Sequence, residues 1–129
     1  LDTADNQTVF SSKIALQHAN GTVILATDMF SMLLDSLATE RPLLVGFWEA
    51  ESLDDLLETV HKLHGAARYC GVPALRSAME QFETSLKANR TGEFPSAMRK
   101  VMTEIERLEL WAADNDWQSM LQEESTANA

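Results

Sequence analysis

The chain has 129 residues, of which 45% are hydrophobic, so it is long enough for one domain with a single ordinary core. Its 20 acidic and 10 basic residues give a formal charge of −10, which argues against partners with anionic surfaces such as nucleic acid or lipid headgroups. The longest unbroken apolar run, Leu43 to Trp48, is far shorter than the roughly 18 residues that a membrane-spanning helix needs. The single cysteine, Cys70, cannot form an internal disulfide, which favours a reducing compartment.

Apolar residues recur at helical spacing along almost the whole chain, beginning with its first third. They predict a short helix around Ile14 and a longer helix over about 22–40. Pro42 suits the first turn of a helix, so we predict a separate short helix from there to about Glu49.

Three further amphipathic segments follow in chain order. Ser52 offers an N-cap for a helix that runs to about Cys70, where the following glycine suits a helix C-terminus. The next helix runs over about 73–88, and the last carries an apolar stripe over about 98–112. The sequence therefore predicts an all-α fold, an antiparallel four-helix bundle with short additional N-terminal helices.

The polar ends of the chain set the expected domain limits. We expect the helical domain to cover residues 10–114, with an N-terminal linker over 1–9 and a polar C-terminal tail over 115–129. The extreme ends, 1–6 and 122–129, are short and polar, so we expect them to be frayed.

Two of the three histidines lie on the helix that follows Ser52. At about 100° per residue, His64 falls within about 50° of the centre of the apolar stripe, whereas His61 lies about 110° from it. We therefore predict that His61 is exposed and that His64 is partly buried. The third histidine, His18, lies near a helix end and carries no such signal.

Gly65 is the second unusual feature of this helix, because a glycine in a helix interior costs about 1 kcal/mol relative to alanine. Residue i+4 normally covers residue i on a helix surface, so a glycine here leaves the imidazole of His61 uncovered. Lys62 and Arg68 place positive charge nearby. An exposed imidazole is a nucleophile near neutral pH, and phosphoryl transfer suits it because that chemistry is mostly positioning and charge neutralisation.

The segment His61-Lys62-Leu63-His64-Gly65-Ala66-Ala67 resembles the motif His-x-apolar-Lys-Gly-small-small of histidine-containing phosphotransfer (HPt) domains. Its continuation through Tyr69-Cys70-Gly71-Val72-Pro73 is similar to the C-terminal domains of hybrid sensor kinases of the BarA and GacS type, and the resemblance covers about 10–114. It implies a four-helix bundle whose exposed histidine accepts a phosphoryl group from a receiver-domain aspartate of the kinase. The histidine then passes the group to the aspartate of a response regulator.

Carried over residue by residue, the resemblance implies that His61 is phosphorylated and that Gly65 gives the receiver access. Lys62 and Arg68 are then expected on the docking surface.

Two positions depart from the family pattern. His64 stands where the family commonly has a lysine that helps to neutralise the phosphoryl group. Many members place a glutamine near the imidazole on the following helix, where the register here gives Glu83 as an acceptor for the N–H of His61, with Gln81 as the alternative.

The resemblance also implies the partners and the location of the chain. The sequence has no Gly-rich phosphate loop, so we expect a phosphoryl carrier that is not itself an enzyme, belonging to a larger hybrid sensor histidine kinase. We expect no cofactor of its own, with Mg²⁺ held by the partner receiver domain. The fragment is expected to be monomeric and cytoplasmic, as the C-terminal domain of an inner-membrane sensor kinase, without direct membrane contact.

Two other functions compete with the carrier. Glu58-x-x-His61 has the ligand spacing of di-iron bundles and His61-x-x-His64 could chelate zinc, but His18 has Ala15 three residues before it and supplies no second half-site. We therefore expect no metal. The alternative is a helical adaptor that docks a partner without phosphoryl transfer, in which replacing His61 would have little effect.

Overall fold

The computed structural model describes residues 6–127, in which the chain is helical and no strand occurs. Six helices follow one another, and a short 3₁₀ turn precedes the fifth. Their bounds are α1 Ser12–His18, α2 Val23–Glu49, α3 Leu53–Ala67, α4 Pro73–Lys87, the 3₁₀ turn Thr91–Glu93, α5 Phe94–Asp114 and α6 Trp117–Ala127.

Helices α2 to α5 form the predicted antiparallel bundle, in which α3 packs between α2 and α4, and α5 packs against α4 and α2. Each long helix turns an apolar stripe inward, as its spacing predicted. The buried stripes comprise Phe30, Leu33, Leu37 and Leu44 on α2, Leu56, Val60 and Leu63 on α3, Leu75, Met79 and Phe82 on α4, and Val101, Ile105 and Leu108 on α5.

Helix α2 is continuous through Pro42, so the prediction of a separate helix starting there is wrong. A proline has no N–H, which deprives the carbonyl of Ala38 of its helical donor. Both residues are exposed, so that carbonyl can bond to water instead. Leu37 and Leu44, one on each side, are fully buried and hold both halves of the helix against the same core.

The segment 115–129 is not the expected polar tail with a frayed end, because most of it forms α6. This helix packs against α1 and α2. The Trp117 ring lies 4.6 Å from that of Phe30 between centroids, and Leu121 is fully buried. Only residues 128–129 of the segment lie outside the described part of the chain.

The predicted linker, 1–9, is described only from Asn6 onward. Within it, the carbonyl of Gln7 accepts a hydrogen bond from the Arg107 guanidinium at 2.8 Å. The carbonyl of Thr8 accepts one from the backbone N–H of Ala74 at 3.0 Å. These bonds attach the chain before α1 to α5 and α4.

The connection between α3 and α4 is attached to the start of α1 through Gly71. This glycine has a φ of +72°, and a Cβ built there would lie 2.5 Å from the carbonyl oxygen of Ser11 and 2.9 Å from the Cβ of Ala15. The backbone N–H of Ser11 donates to the Gly71 carbonyl at 2.8 Å. Only glycine fits this contact, which fixes the turn between the two helices that carry the site.

Within residues 6–127, no single helix is long and apolar enough to cross a membrane. Only α1 and α2 taken together, across a bend of 107°, reach that length and apolar content.

Candidate functional site

Helix α3 carries the two histidines that the sequence singled out, and it begins after Ser52 as predicted. The Ser52 hydroxyl donates to the Asp55 carboxylate at 2.6 Å rather than capping a backbone N–H. Asp54 and Asp55 lie in the first turn, where negative charge is favoured by the helix dipole. The apolar stripe of α3 then faces the bundle and fixes the rotation of the helix.

This rotation exposes His61 and buries His64, as the helical positions predicted. The His61 side chain is 69% exposed, whereas His64 is buried between α3 and α4. A Cβ built at Gly65 would meet no atom within 4 Å outside the backbone of its own helix. The surface one turn beyond His61 is therefore open.

Glu83 on α4 is the acidic residue that contacts His61, at the position counted from the sequence. Its Oε2 lies 2.6 Å from Nδ1 of His61, and its Oε1 lies 2.7 Å from Nδ1 of His64. Gln81, the alternative in register, is exposed, and its amide donates to the Ser77 hydroxyl instead. One carboxylate thus joins the two imidazoles.

Lys87, one turn further along α4, also binds this carboxylate, with Nζ 2.8 Å from Oε2 of Glu83. This residue was not predicted from the sequence, although its i+4 spacing from Glu83 was a usable signal. Lys87 therefore places an exposed ammonium group beside His61. His64, by contrast, is buried, so its ring is not at the surface where the resemblance implies a lysine.

The Glu83 carboxylate is ionised at neutral pH. Burial acts to raise its pKa, but hydrogen bonds from Lys87, His61 and His64 outweigh that effect and lower the pKa of Glu83 to about 2. An ionised carboxylate only accepts hydrogen bonds, so Nδ1 of each ring is the donor. In the neutral ring of His61, Nε2 then carries the lone pair.

The two basic residues expected at the surface lie in different settings. The Lys62 ammonium pairs with Glu40, a buried residue of α2. Arg68 is exposed and directly follows the last residue of α3. At a rise of 1.5 Å per residue, it lies about 10 Å from His61 along the helix axis. Arg68 lines a cavity of about 360 Å³ together with Arg76 of α4, which was not predicted from the sequence to take part in the site.

The metal ligand spacings noted in the sequence are not completed by neighbouring side chains. Among residues 6–127, no group of three or more histidine, cysteine, aspartate or glutamate side chains is arranged to hold a metal ion.

A family model for the Hpt domain matches residues 28–111, which include His61, Gly65 and Glu83. The chain belongs to the Hpt domain family. The resemblance read from the histidine motif is therefore confirmed, and membership gives this Hpt domain a role in two-component phosphorelay signalling.

Three curated relatives show the kind of protein in which this Hpt domain has counterparts. It is 44% identical over 81 residues to the sensor protein GacS of Pseudomonas syringae pv. syringae, which is 63% of this chain and 9% of that protein. It is 42% identical over 100 residues to the sensor histidine kinase GacS of Pseudomonas protegens, covering 78% of this chain and 11% of that protein. It is 35% identical over 81 residues to the signal transduction histidine-protein kinase BarA of Escherichia coli K12, covering 63% and 9%. The chain thus spans about a tenth of the length of these relatives.

Proposed function

We propose that His61 accepts a phosphoryl group from the aspartate of a hybrid kinase receiver domain and passes it to the aspartate of a response regulator. The observation that carries this proposal is the exposed ring of His61, fixed by the bond from its Nδ1 to Glu83. That bond leaves Nε2 as the nucleophile.

The transfer needs no proton movement. The lone pair on Nε2 attacks phosphorus, the bond from phosphorus to the aspartate oxygen breaks, and its electron pair stays on the receiver as a carboxylate. The return step reverses these events on a second receiver: phosphorus bonds to its aspartate oxygen, and the electron pair of the broken bond returns to Nε2.

The receiver domain and this chain supply different groups to the reaction. The receiver domain supplies Mg²⁺ and its own charged groups, and this chain, with no cofactor of its own, supplies a fixed imidazole beside Lys87. The open surface at Gly65 admits the receiver, and Lys62 and Arg68, each three residues from Gly65 and exposed, contribute to docking. The domain works as a monomeric carrier at the cytoplasmic C-terminus of an inner-membrane sensor kinase and binds no nucleic acid.

The test is phosphoryl transfer from a labelled receiver domain, in the presence of Mg²⁺, to the wild-type chain and to its His61→Gln variant. We expect acid-labile label on the wild type and none on His61→Gln. His18→Gln, which removes an exposed histidine elsewhere, is the matched control and should label like the wild type.

Two results would contradict the proposal. Equal labelling of His61→Gln would move the acceptor to His64 or His18. Absence of label with several receivers that nevertheless bind the chain would favour the adaptor.

A further inference from the structure

Both oxygens of the Glu83 carboxylate are occupied by donors. Oε1 accepts from His64, and Oε2 accepts from His61 and from Lys87. Glu83 itself is only 6% exposed. The carboxylate is therefore held from both sides and cannot turn without leaving a buried oxygen unpaired.

The proton on Nδ1 of His61 matters most after phosphorylation. Once Nε2 is bonded to phosphorus, a ring that keeps its Nδ1 proton carries a positive charge. In the onward step this ring leaves as a neutral imidazole, whereas a ring that has lost the proton must leave as an imidazolate anion. An imidazolate is a far poorer leaving group, so onward transfer depends on retention of this proton.

An ionised carboxylate retains that proton better than a neutral amide would, because it stabilises the positive ring by charge as well as by a hydrogen bond. The charged or titratable groups that contact Glu83 are His61 and His64 from α3 and Lys87 from its own helix. Lys62 is paired with Glu40 on the α2 side of α3, and Glu80 lies about one turn before Glu83 on α4.

We propose that Glu83, held in place by His64, keeps the proton on Nδ1 of phosphorylated His61, so that onward transfer continues into the mildly alkaline range. Glu83 and His64 are positioning residues in this scheme, which rests on the proposed function of His61. His64 thus acts through the carboxylate and makes no contact with the phosphoryl group.

The test uses the chain loaded with phosphoramidate, a small donor that needs no receiver. All variants carry His18→Gln, so that the phosphorus NMR signal reports His61. The titration midpoint of the phosphorylated ring is then followed across the neutral and alkaline range. We expect Glu83→Gln to lower this midpoint by about one pH unit or more, whereas the control Glu80→Gln leaves it within a few tenths. Equal midpoints in wild type and Glu83→Gln would overturn the proposal.

His64 is tested with two replacements that differ in one property. His64→Gln keeps an N–H donor and should hold the midpoint near that of wild type. His64→Leu has no donor, so the carboxylate turns and the midpoint moves towards that of Glu83→Gln. A midpoint in folded His64→Leu that stays at, or rises above, the wild-type value would remove His64 from the scheme.

A measurement on the unsubstituted site does not depend on whether the variants fold. Nitrogen-correlated proton NMR of the loaded chain should show the Nδ1 proton of His61 in mildly alkaline solution, and its absence would overturn the proposal. Failure of the proposed function would look different, because receivers would then fail to label a chain that phosphoramidate still loads.

Discussion

Titration of the Glu83 carboxylate, which lies in the site, should make the stability of the fold depend on pH. The pKa of Glu83 is lowered from the ordinary value of 4.5 to about 2, because bonds from Lys87, His61 and His64 outweigh the effect of burial. A carboxyl whose pKa is lower in the folded state contributes stability that is fully present above about pH 4.5 and is lost as the pH falls towards 2. The contribution of the Glu83 carboxylate to the free energy of unfolding should therefore be lost in acid.

We expect the wild type to lose about 3 kcal/mol more of its free energy of unfolding than Glu83→Gln between about pH 5 and about pH 2. Urea unfolding at a series of pH values measures both curves. Glu80→Gln, which removes an exposed carboxylate from the same helix, should follow the wild type. Parallel curves for wild type and Glu83→Gln would contradict the assignment of the low pKa to Glu83.

Gly65 offers a second test at the scale of one residue. A Cβ fits there without contact, so Gly65→Ala should keep the fold and raise stability by up to about 1 kcal/mol. Gly65→Gln places a long side chain over His61, so transfer from a receiver should fall by about ten-fold or more. Phosphoramidate loading of His61 should be unchanged in both. A parallel fall with both donors would mean that the variant disturbs the fold instead.

Among the elements, α6 contributes to stability through its contacts with α1 and α2. Its Leu121 is fully buried. Leu121→Ala should therefore lower the free energy of unfolding by about 3 kcal/mol, whereas exposed Gln122→Ala should change it by less than about 0.5 kcal/mol. Denaturant unfolding measures both, with phosphoramidate loading of His61 as a check that the site persists. Equal effects would show that α6 is not packed as described.

Two elements, α2 and α6, differ from their sequence predictions for physical reasons. The apolar stripe of α6 is short and lies in a polar segment, and what makes it helical is the surface of α1 and α2 that it covers. At Pro42, the local preference for a helix start gave way to burial of Leu37 and Leu44 on either side. Long stripes such as that of α3 were predictable because burial and helical period agree over several turns.

At the scale of the whole molecule, the bundle was predictable from the apolar stripes of its long helices. The contact between His61 and Glu83 was predicted from the resemblance to Hpt domains together with the register counted along α4, which left Gln81 as the alternative. The bonds from His64 and Lys87 to the same Glu83 carboxylate were not predictable. They depend on the relative rotation of α3 and α4 and on side-chain conformations, which spacing alone does not specify. Arg76 likewise comes to line the same cavity as Arg68 only because the chain turns at Gly71.

The charge distribution leads to a prediction about association. In a chain of net charge −10, Arg68 and Arg76 line one cavity, and within residues 6–127 neither forms an ion pair. If receivers dock beside His61, Arg68→Ala and Arg76→Ala should each weaken transfer efficiency about three-fold at low salt, with a smaller effect at high salt. Arg99→Ala, at an exposed position on α5, is the control. Salt-independent losses would point to packing rather than charge.

The contact between Gly71 and the start of α1 bears on any attempt to transplant this chemistry. His61 and Glu83 come from two helices, and the turn between them is fastened to Ser11 and Ala15. A designer who grafts only the helix pair into another scaffold would leave that turn without its anchor. The smallest unit that could be transplanted is therefore α1 together with α3 and α4. A redesigned loop would need a residue without a side chain at position 71, in the left-handed backbone conformation.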